Sequence, residues 1–212
     1  MISNIIPILK TLDKTAEPTM LDAYKDRSPF ELLVMTLLSA RTKDATVIPI
    51  ALKLYKTHNK PEHFVSMQND ILAKKLYGIG FHNTKAKHII KLSKILIDKY
   101  NGEVPRTMYE LVELPGVGRK TANCILSYCF NIPAIAVDTH VHRICNKERL
   151  NWINTKTVED TERELMRVVP KKLWVEVNRL IVDHGQRVCA PIRPKCEQCS
   201  ITAYCATFDD NR

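Results

Sequence analysis

The sequence predicts an all-α protein. Apolar residues recur at three- and four-residue spacing through most of the 212 residues, and this spacing places them on one face of a helix. No stretch alternates apolar and polar residues between hairpin turns, and the β-branched run 135–137 is too short to form a sheet. Glycine and proline separate the periodic stretches, as expected for helices joined by short turns.

The predicted helices follow one another along the chain. Residues 31–40 are apolar on nearly every side, which indicates a buried helix, and Ser28 with Glu31 three residues later is typical of a capped helix start. Residues 84–100 carry apolar side chains on one face and lysines elsewhere. Further helices are expected at 106–114, 119–130, 156–169 and 171–187.

Composition restricts the class of protein and of partner. The net charge is +9, from 32 basic and 23 acidic residues, which favours a polyanionic partner such as nucleic acid or an acidic surface; a charge that serves only solubility is the alternative. The apolar run 5–9 is short and interrupted by Pro7, so it matches neither a signal peptide nor a membrane span. We therefore expect a soluble, cytoplasmic protein of one domain or two small lobes.

The stretch LPGVGRKTA, residues 114–122, predicts a tight turn between two helices. Gly116 and Gly118 allow close approach of the backbone, and free amide groups at the start of the next helix favour an anion such as phosphate. A bare helix–helix turn is the alternative. Lys120 lies where the helix dipole disfavours its ammonium form, which lowers its expected pKa. It is either a phosphate contact or a nucleophilic amine.

A second stretch, AVDTHVHR at residues 136–143, begins another helix. Asp138 before Thr139 is typical of an N-cap residue. The same carboxylate could instead assist proton transfer or stabilise positive charge that develops on a sugar. Sequence spacing alone leaves both interpretations of Asp138 open.

Seven cysteines form two groups. Cys124, Cys129 and Cys145 lie in apolar stretches, where small buried thiols are expected. The other four, Cys189, Cys196, Cys199 and Cys205, lie within seventeen residues and predict a site with four thiolate ligands, whose metal the spacing leaves open. Within this loop, Arg193 and Lys195 are candidate phosphate contacts; incidental charges on a solvated loop are the alternative.

Together, LPGVGRKTA, VDTHVHR and the Cys-x6-Cys-x2-Cys-x5-Cys spacing resemble the endonuclease III family of helix-hairpin-helix DNA glycosylases. The resemblance implies a two-lobed fold, with a six-helix barrel at 22–132 and a second domain formed by 1–21 and 133–212. It implies a [4Fe–4S] cluster on the four loop cysteines. DNA would bind across the cleft between the lobes.

The resemblance also implies a base-excision repair enzyme that removes oxidised or ring-saturated pyrimidines and cleaves abasic sites by β-elimination. Lys120 would be the nucleophile and Asp138 the catalytic carboxylate. The expected state is a monomer on double-stranded DNA, cytoplasmic and associated with the nucleoid. The residues that would contact DNA are Arg41, Phe81, Gly116, Val117, Gly118, Thr121, His140, Arg193 and Lys195.

Two of these residues depart from the family pattern. Arg41 stands where members often have glutamine, and Phe81 where leucine is common, so the family pattern does not decide the preference of this chain for the base opposite the lesion. Arg41 could bond an orphaned guanine and Phe81 could intercalate; phosphate contact and packing are the alternatives.

Four other functions compete with this one. A mismatch adenine glycosylase would lack Lys120, and an 8-oxoguanine glycosylase–lyase would generally lack the cysteine loop. A non-enzymatic DNA-binding module would not need both Lys120 and Asp138. An iron–sulfur electron carrier fits a basic, helical chain with a phosphate-binding turn poorly.

Overall fold

Helices dominate the computed structural model, which describes residues 4–208. In chain order the α-helices are α1 (Ile5–Asp13), α2 (Met20–Ala23), α3 (Pro29–Ser39), α4 (Asp44–Tyr55), α5 (Glu62–Val65), α6 (Asn69–Lys75), α7 (His82–Tyr100), α8 (Met108–Val112), α9 (Arg119–Phe130), α10 (Thr139–Cys145), α11 (Val158–Val168) and α12 (Trp174–Arg187). Short 3-10 helices cover Lys171–Leu173, Cys196–Gln198 and Thr202–Tyr204. Within residues 4–208, β-pairing is limited to an isolated bridge between Asn146 and Ile153. The predicted all-α class is confirmed.

The chain divides into two compact units. One comprises Met20–Ile132, and the other combines Met1–Thr19 with Pro133–Arg212. The predicted domains, 22–132 and 1–21 with 133–212, differ from this division at residues 20 and 21. Their assignment as a helical barrel and a cluster domain stays a prediction.

Helix α3 is the core of the 20–132 unit. It packs against α4, α7 and α9, and every residue from Phe30 to Leu38 is buried. Its start is fixed by a reciprocal cap. The Glu31 amide donates to the Ser28 hydroxyl at 3.3 Å, and the Ser28 amide donates to the Glu31 carboxylate at 3.1 Å. The predicted cap is therefore confirmed, with Pro29 at the first helical position.

The other unit has its own apolar core around α12, which packs against α1 and α10. Helix α1 includes the apolar run 5–9, and its buried face is formed by Ile5, Ile8, Leu9 and Leu12. Pro7 lies in the first turn of α1, where the missing amide would have no partner within the helix. Among residues 4–208, no helix is long and apolar enough to cross a membrane.

Some helix bounds differ from the predicted ones for local reasons. Helix α9 begins and ends where predicted, at 119 and 130. Helix α8 is shorter than 106–114 because Thr107 caps it, accepting a hydrogen bond from the Glu110 amide at 3.3 Å. The predicted helix 171–187 begins as a 3-10 turn, and α12 proper starts at Trp174.

Candidate functional site

The turn between α8 and α9 is held by backbone bonds. The Val117 amide donates to the Leu114 carbonyl at 3.0 Å, and the Val117 side chain is buried, so this residue shapes the turn. Gly116 has φ +82°, and a Cβ there would lie 2.5 Å from His88 Nδ1. At Gly118 a Cβ would meet nothing within 4 Å. The fold therefore needs glycine at 116 but leaves open space at 118.

Lys120 is the second residue of α9 and is half-buried. The charge of its amine acts on the carboxylate of Asp44. Burial raises the pKa of Asp44, the first residue of α4, and the positive charge of Lys120 opposes that shift. Because Asp44 is distant from Lys120 in the sequence, sequence reasoning did not identify it. An acidic residue in the first turn of α4 is the local signal that marks it.

Thr121 follows Lys120 in the first turn of α9 and is buried. Its backbone belongs to the helix start that the sequence predicts as an anion site. The predicted contacts Gly116, Gly118 and Thr121 therefore lie together at this helix terminus, in the 20–132 unit.

Asp138 caps α10, as its sequence position predicts. One carboxylate oxygen, Oδ1, accepts hydrogen bonds from the amides of His140 and Val141, both at 2.9 Å. The segment before it is buried, and the Asn178 side chain of α12 donates to the Ala136 carbonyl at 2.6 Å. Helix α12 therefore fixes the segment that ends at Asp138. This residue and Lys120 belong to different units.

His140 packs against α12. A Cβ at Gly185 would lie 2.5 Å from His140 Nδ1 and 2.8 Å from its Cβ, so only glycine allows the ring this position. Among the described residues, the buried His140 Nδ1 has no hydrogen-bond partner. Its predicted contact with DNA stays a prediction.

Arg41 and Phe81 lie side by side. The Arg41 guanidinium carbon is 5.8 Å from the centroid of the Phe81 ring. Both residues are exposed, with 62% of Phe81 accessible. They have left-handed backbone conformations with φ 56° and 59°, and both line a cavity of about 260 Å³. Sequence reasoning identified each residue but could not show that they form a pair.

The four loop cysteines line one cavity of about 40 Å³, which is larger than the roughly 10–15 Å³ that one water needs. Burial raises the pKa of Cys199; the amide of Ile201 opposes this shift, and the other three cysteines raise the pKa further. In the part of the chain that the structure describes, no three His, Cys, Asp or Glu side chains are grouped so as to hold a metal ion.

Two further side chains contact this loop. Arg143 donates to the Cys189 carbonyl at 2.5 Å and to its sulfur at 3.5 Å, while His184 Nε2 lies 3.8 Å from the Cys199 sulfur. Burial lowers the pKa of His184 to about 4. Sequence reasoning identified neither residue. Arg193, with φ 54°, and Lys195 are exposed on the same loop.

The remaining cysteines agree with their predicted role. Cys124 and Cys145 are buried, Cys129 is half-buried, and all three are free thiols. Burial raises the pKa of Cys129 to about 12, so this thiol is neutral and unreactive at physiological pH.

Comparison with known proteins identifies the family. Residues 34–171 match the family described as the HhH-GPD superfamily of base excision DNA repair proteins. The chain is also 41% identical over 185 residues to Endonuclease III of Thermotoga maritima, covering 87% of this chain and 86% of the relative. The chain belongs to the endonuclease III family. Endonuclease III of Escherichia coli strain K12 is likewise 41% identical, over 84% of this chain and 83% of its own.

Solved structures agree with this family assignment. A trapped endonuclease III–DNA covalent intermediate, an estranged-adenine complex, superposes with a TM-score of 0.85 and 36% identity, covering 96% of this chain and 95% of its own. A non-covalent endonuclease III–DNA complex has the same score and identity. A thermostable thymine-DNA glycosylase gives a TM-score of 0.81 at 25% identity. The predicted helix-hairpin-helix glycosylase fold is therefore confirmed.

Proposed function

We propose that the protein is a bifunctional DNA glycosylase and abasic-site lyase for oxidised or ring-saturated pyrimidines in duplex DNA. Family membership supports the glycosylase reaction and its β-elimination step. The observation that carries the lyase assignment is Lys120, which is half-buried at the start of α9 and whose charge lowers the pKa of Asp44 against the effect of burial.

In the proposed reaction the damaged nucleotide leaves the base stack. The uncharged amine of Lys120 attacks C1′ of the deoxyribose, and the bond between C1′ and the base breaks as the base leaves with the electron pair and takes up a proton. The sugar ring opens to a Schiff base between Lys120 and C1′. Loss of a proton from C2′ then expels the 3′ phosphate, which is β-elimination.

Two carboxylates have proposed roles in this reaction. Asp138 stabilises positive charge on the sugar, and its Oδ1 is already fixed by two amides. Asp44 is the proposed partner for proton exchange with the Lys120 amine, because the charge of Lys120 acts on this carboxyl group and lowers its pKa against the larger effect of burial. His140, beside the Asp138 cap, contacts DNA in this proposal.

The DNA contacts divide by type. Open space at Gly118, with Gly116 and Thr121 beside it, receives a phosphate oxygen of the damaged strand. Val117 supports this turn by packing. Phe81 enters the base stack as an apolar wedge, and Arg41 donates hydrogen bonds to the orphaned base, with guanine preferred because it presents two acceptors. Arg193 and Lys195 contact phosphates.

The donor chemistry of the cysteine loop supports an iron–sulfur cluster. Four thiols line one cavity, and two cationic or polar side chains, Arg143 and His184, contact loop sulfurs. Four cysteine ligands are the usual ligand set for [4Fe–4S]. We propose that Cys189, Cys196, Cys199 and Cys205 hold such a cluster, which orders the loop that presents Arg193 and Lys195. The proposed working form is a monomer on DNA.

The test of the proposed function is borohydride trapping on a thymine-glycol duplex. We expect a covalent protein–DNA adduct and strand cleavage with the wild type, and neither with Lys120→Ala. Lys53→Ala, an exposed lysine on α4 of the same unit, is the matched control and should behave as wild type. Equal adduct formation by Lys120→Ala would refute the role of the lysine. Trapping on an undamaged duplex would refute the specificity.

A further inference from the structure

Lys85 is a buried lysine that the proposed chemistry does not use. It lies in the first turn of α7 and is 6% exposed. Its ammonium donates to the Leu38 carbonyl at 2.8 Å, the Ala40 carbonyl at 2.6 Å and the Thr42 hydroxyl at 3.3 Å. An ammonium group has three donors, so all of its hydrogen-bonding capacity is satisfied by oxygens of residues 38–42.

These oxygens belong to the end of α3 and to the turn that carries Arg41. Helix α3 ends at Ser39, and the last carbonyls of a helix have no partner within it and carry partial negative charge. Lys85 satisfies them and stabilises the turn electrostatically. Burial lowers the pKa of Lys85, but three oxygen acceptors favour the charged form.

The same contacts continue into the turn that carries Phe81. Thr42 Oγ1 accepts a second hydrogen bond, from the Gly80 amide at 3.1 Å. A Cβ at Gly80 would lie 3.2 Å from both the Arg41 carbonyl and Thr42 Oγ1. The two turns are therefore in van der Waals contact, and Lys85, Thr42 and Gly80 form one hydrogen-bonded chain across them.

Both turns need such support. Arg41 and Phe81 have positive φ without being glycine, a conformation that costs about 1–2 kcal/mol at each residue. Their exposed side chains form a cation–π pair with each other. Buried groups must therefore hold the backbone of the two turns in place. Lys85 is a buried charged residue that forms hydrogen bonds to this backbone.

We propose that Lys85 is a positioning residue that fixes the Arg41 and Phe81 turns as one unit, so that both side chains enter the DNA stack together. This inference rests on the proposed function, because it takes Arg41 and Phe81 as the inserted residues. It also excludes Lys85 as a second nucleophile: its three donors are engaged, and a charged ammonium has no lone pair.

The experiment uses a duplex with an uncleavable abasic analogue and 2-aminopurine in the opposite strand beside it. Insertion of Arg41 and Phe81 unstacks this base and raises its fluorescence. We expect Lys85→Met to lose most of the rise and to slow duplex abasic-site cleavage about tenfold or more. On a single-stranded abasic oligonucleotide, which has no opposite stack to invade, its rate should stay within about twofold of the wild type.

Conservative variants separate positioning from folding. Lys85→Arg keeps a charged donor and should recover part of the fluorescence rise. Thr42→Val removes the hydrogen bonds from Gly80 and from Lys85, while Lys85 keeps its bonds to the Leu38 and Ala40 carbonyls; Thr42→Ser retains the hydroxyl. If Lys85→Met does not fold, the Thr42 pair still decides the matter: Thr42→Val should lose signal and Thr42→Ser should keep it.

The outcomes are distinguishable from failure of the proposed function. A wild-type fluorescence rise and duplex rate in both Lys85→Met and Thr42→Val would overturn the positioning role. Equal loss on duplex and single-stranded substrates would also overturn it, because it would indicate general damage. A wild type that raises fluorescence but forms no borohydride adduct would refute the lyase proposal and leave the positioning role supported.

Discussion

At the scale of single residues, glycine stands at positions 116 and 118 of the 114–118 turn for different physical reasons. Gly116 combines φ +82° with a neighbour 2.5 Å from its missing Cβ, so folding alone requires it. Gly118 has φ −96° and ψ 176°, which any residue adopts, and its missing Cβ would meet nothing. Folding therefore does not explain Gly118, whereas the proposed close approach of a phosphate would.

This contrast gives a prediction. Gly116→Ala should lower the free energy of unfolding by roughly 2–4 kcal/mol, from left-handed strain and overpacking. Gly118→Ala should lower it by less than about 1 kcal/mol, yet weaken binding to an abasic-analogue duplex about tenfold by obstructing one charge-assisted hydrogen bond. Urea unfolding and fluorescence anisotropy measure the two effects. Undiminished DNA binding by Gly118→Ala would contradict the phosphate site.

At the scale of helices, Asp138 has a structural role in α10 and a proposed chemical role, and two substitutions separate them. Asparagine also caps helices, so Asp138→Asn should keep the free energy of unfolding within about 0.5 kcal/mol. Asp138→Ala should lose about 1 kcal/mol of helix stability. Both should slow base removal about 100-fold or more, because each removes the charge. Wild-type glycosylase rates in Asp138→Asn would show that Asp138 only caps.

Helix starts were predictable where their signals are local. Ser28 with Glu31, and Asp138 before Thr139, satisfy amides within three residues, so a short stretch of sequence contains the whole interaction. Lys85 and Ala40 are 45 residues apart, and their contact depends on how α7 packs against α3. Periodicity places a lysine such as Lys85 on a helix but cannot show that it is buried.

The cysteine loop is the element whose predicted cofactor can be removed. Purified holoprotein should contain iron and sulfide in equal amounts, and Cys196→Ser should lose most of both. Cys129→Ser is the matched control, since burial keeps that thiol neutral with a pKa of about 12, and it should retain the iron. Because metal binding contributes to folding, removal of iron by a chelator should lower the melting temperature. Full iron content in Cys196→Ser would contradict the assigned ligands.

At the scale of the whole molecule, the net charge of +9 affects the affinity for DNA more than it affects the fold. Exposed lysines and arginines release counterions from DNA, so the logarithm of the binding constant should fall linearly with the logarithm of salt concentration. Sequence charge predicted this class of partner. It could not show which cations act, because that depends on the carboxylates that the fold places beside each one.

Arg193 and Lys195 provide the test of that distinction. Both are exposed on the cysteine loop, and replacing either with glutamine should reduce the slope of the salt dependence by about 1 without changing lesion preference. Arg163 and Arg167 on α11 are the controls, because ion pairs with Asp160 and Glu164 already neutralise them. Their glutamine variants should leave the slope unchanged. Anisotropy titrations on an undamaged duplex at several salt concentrations measure each slope, and equal slopes for all four variants would contradict the role of the loop.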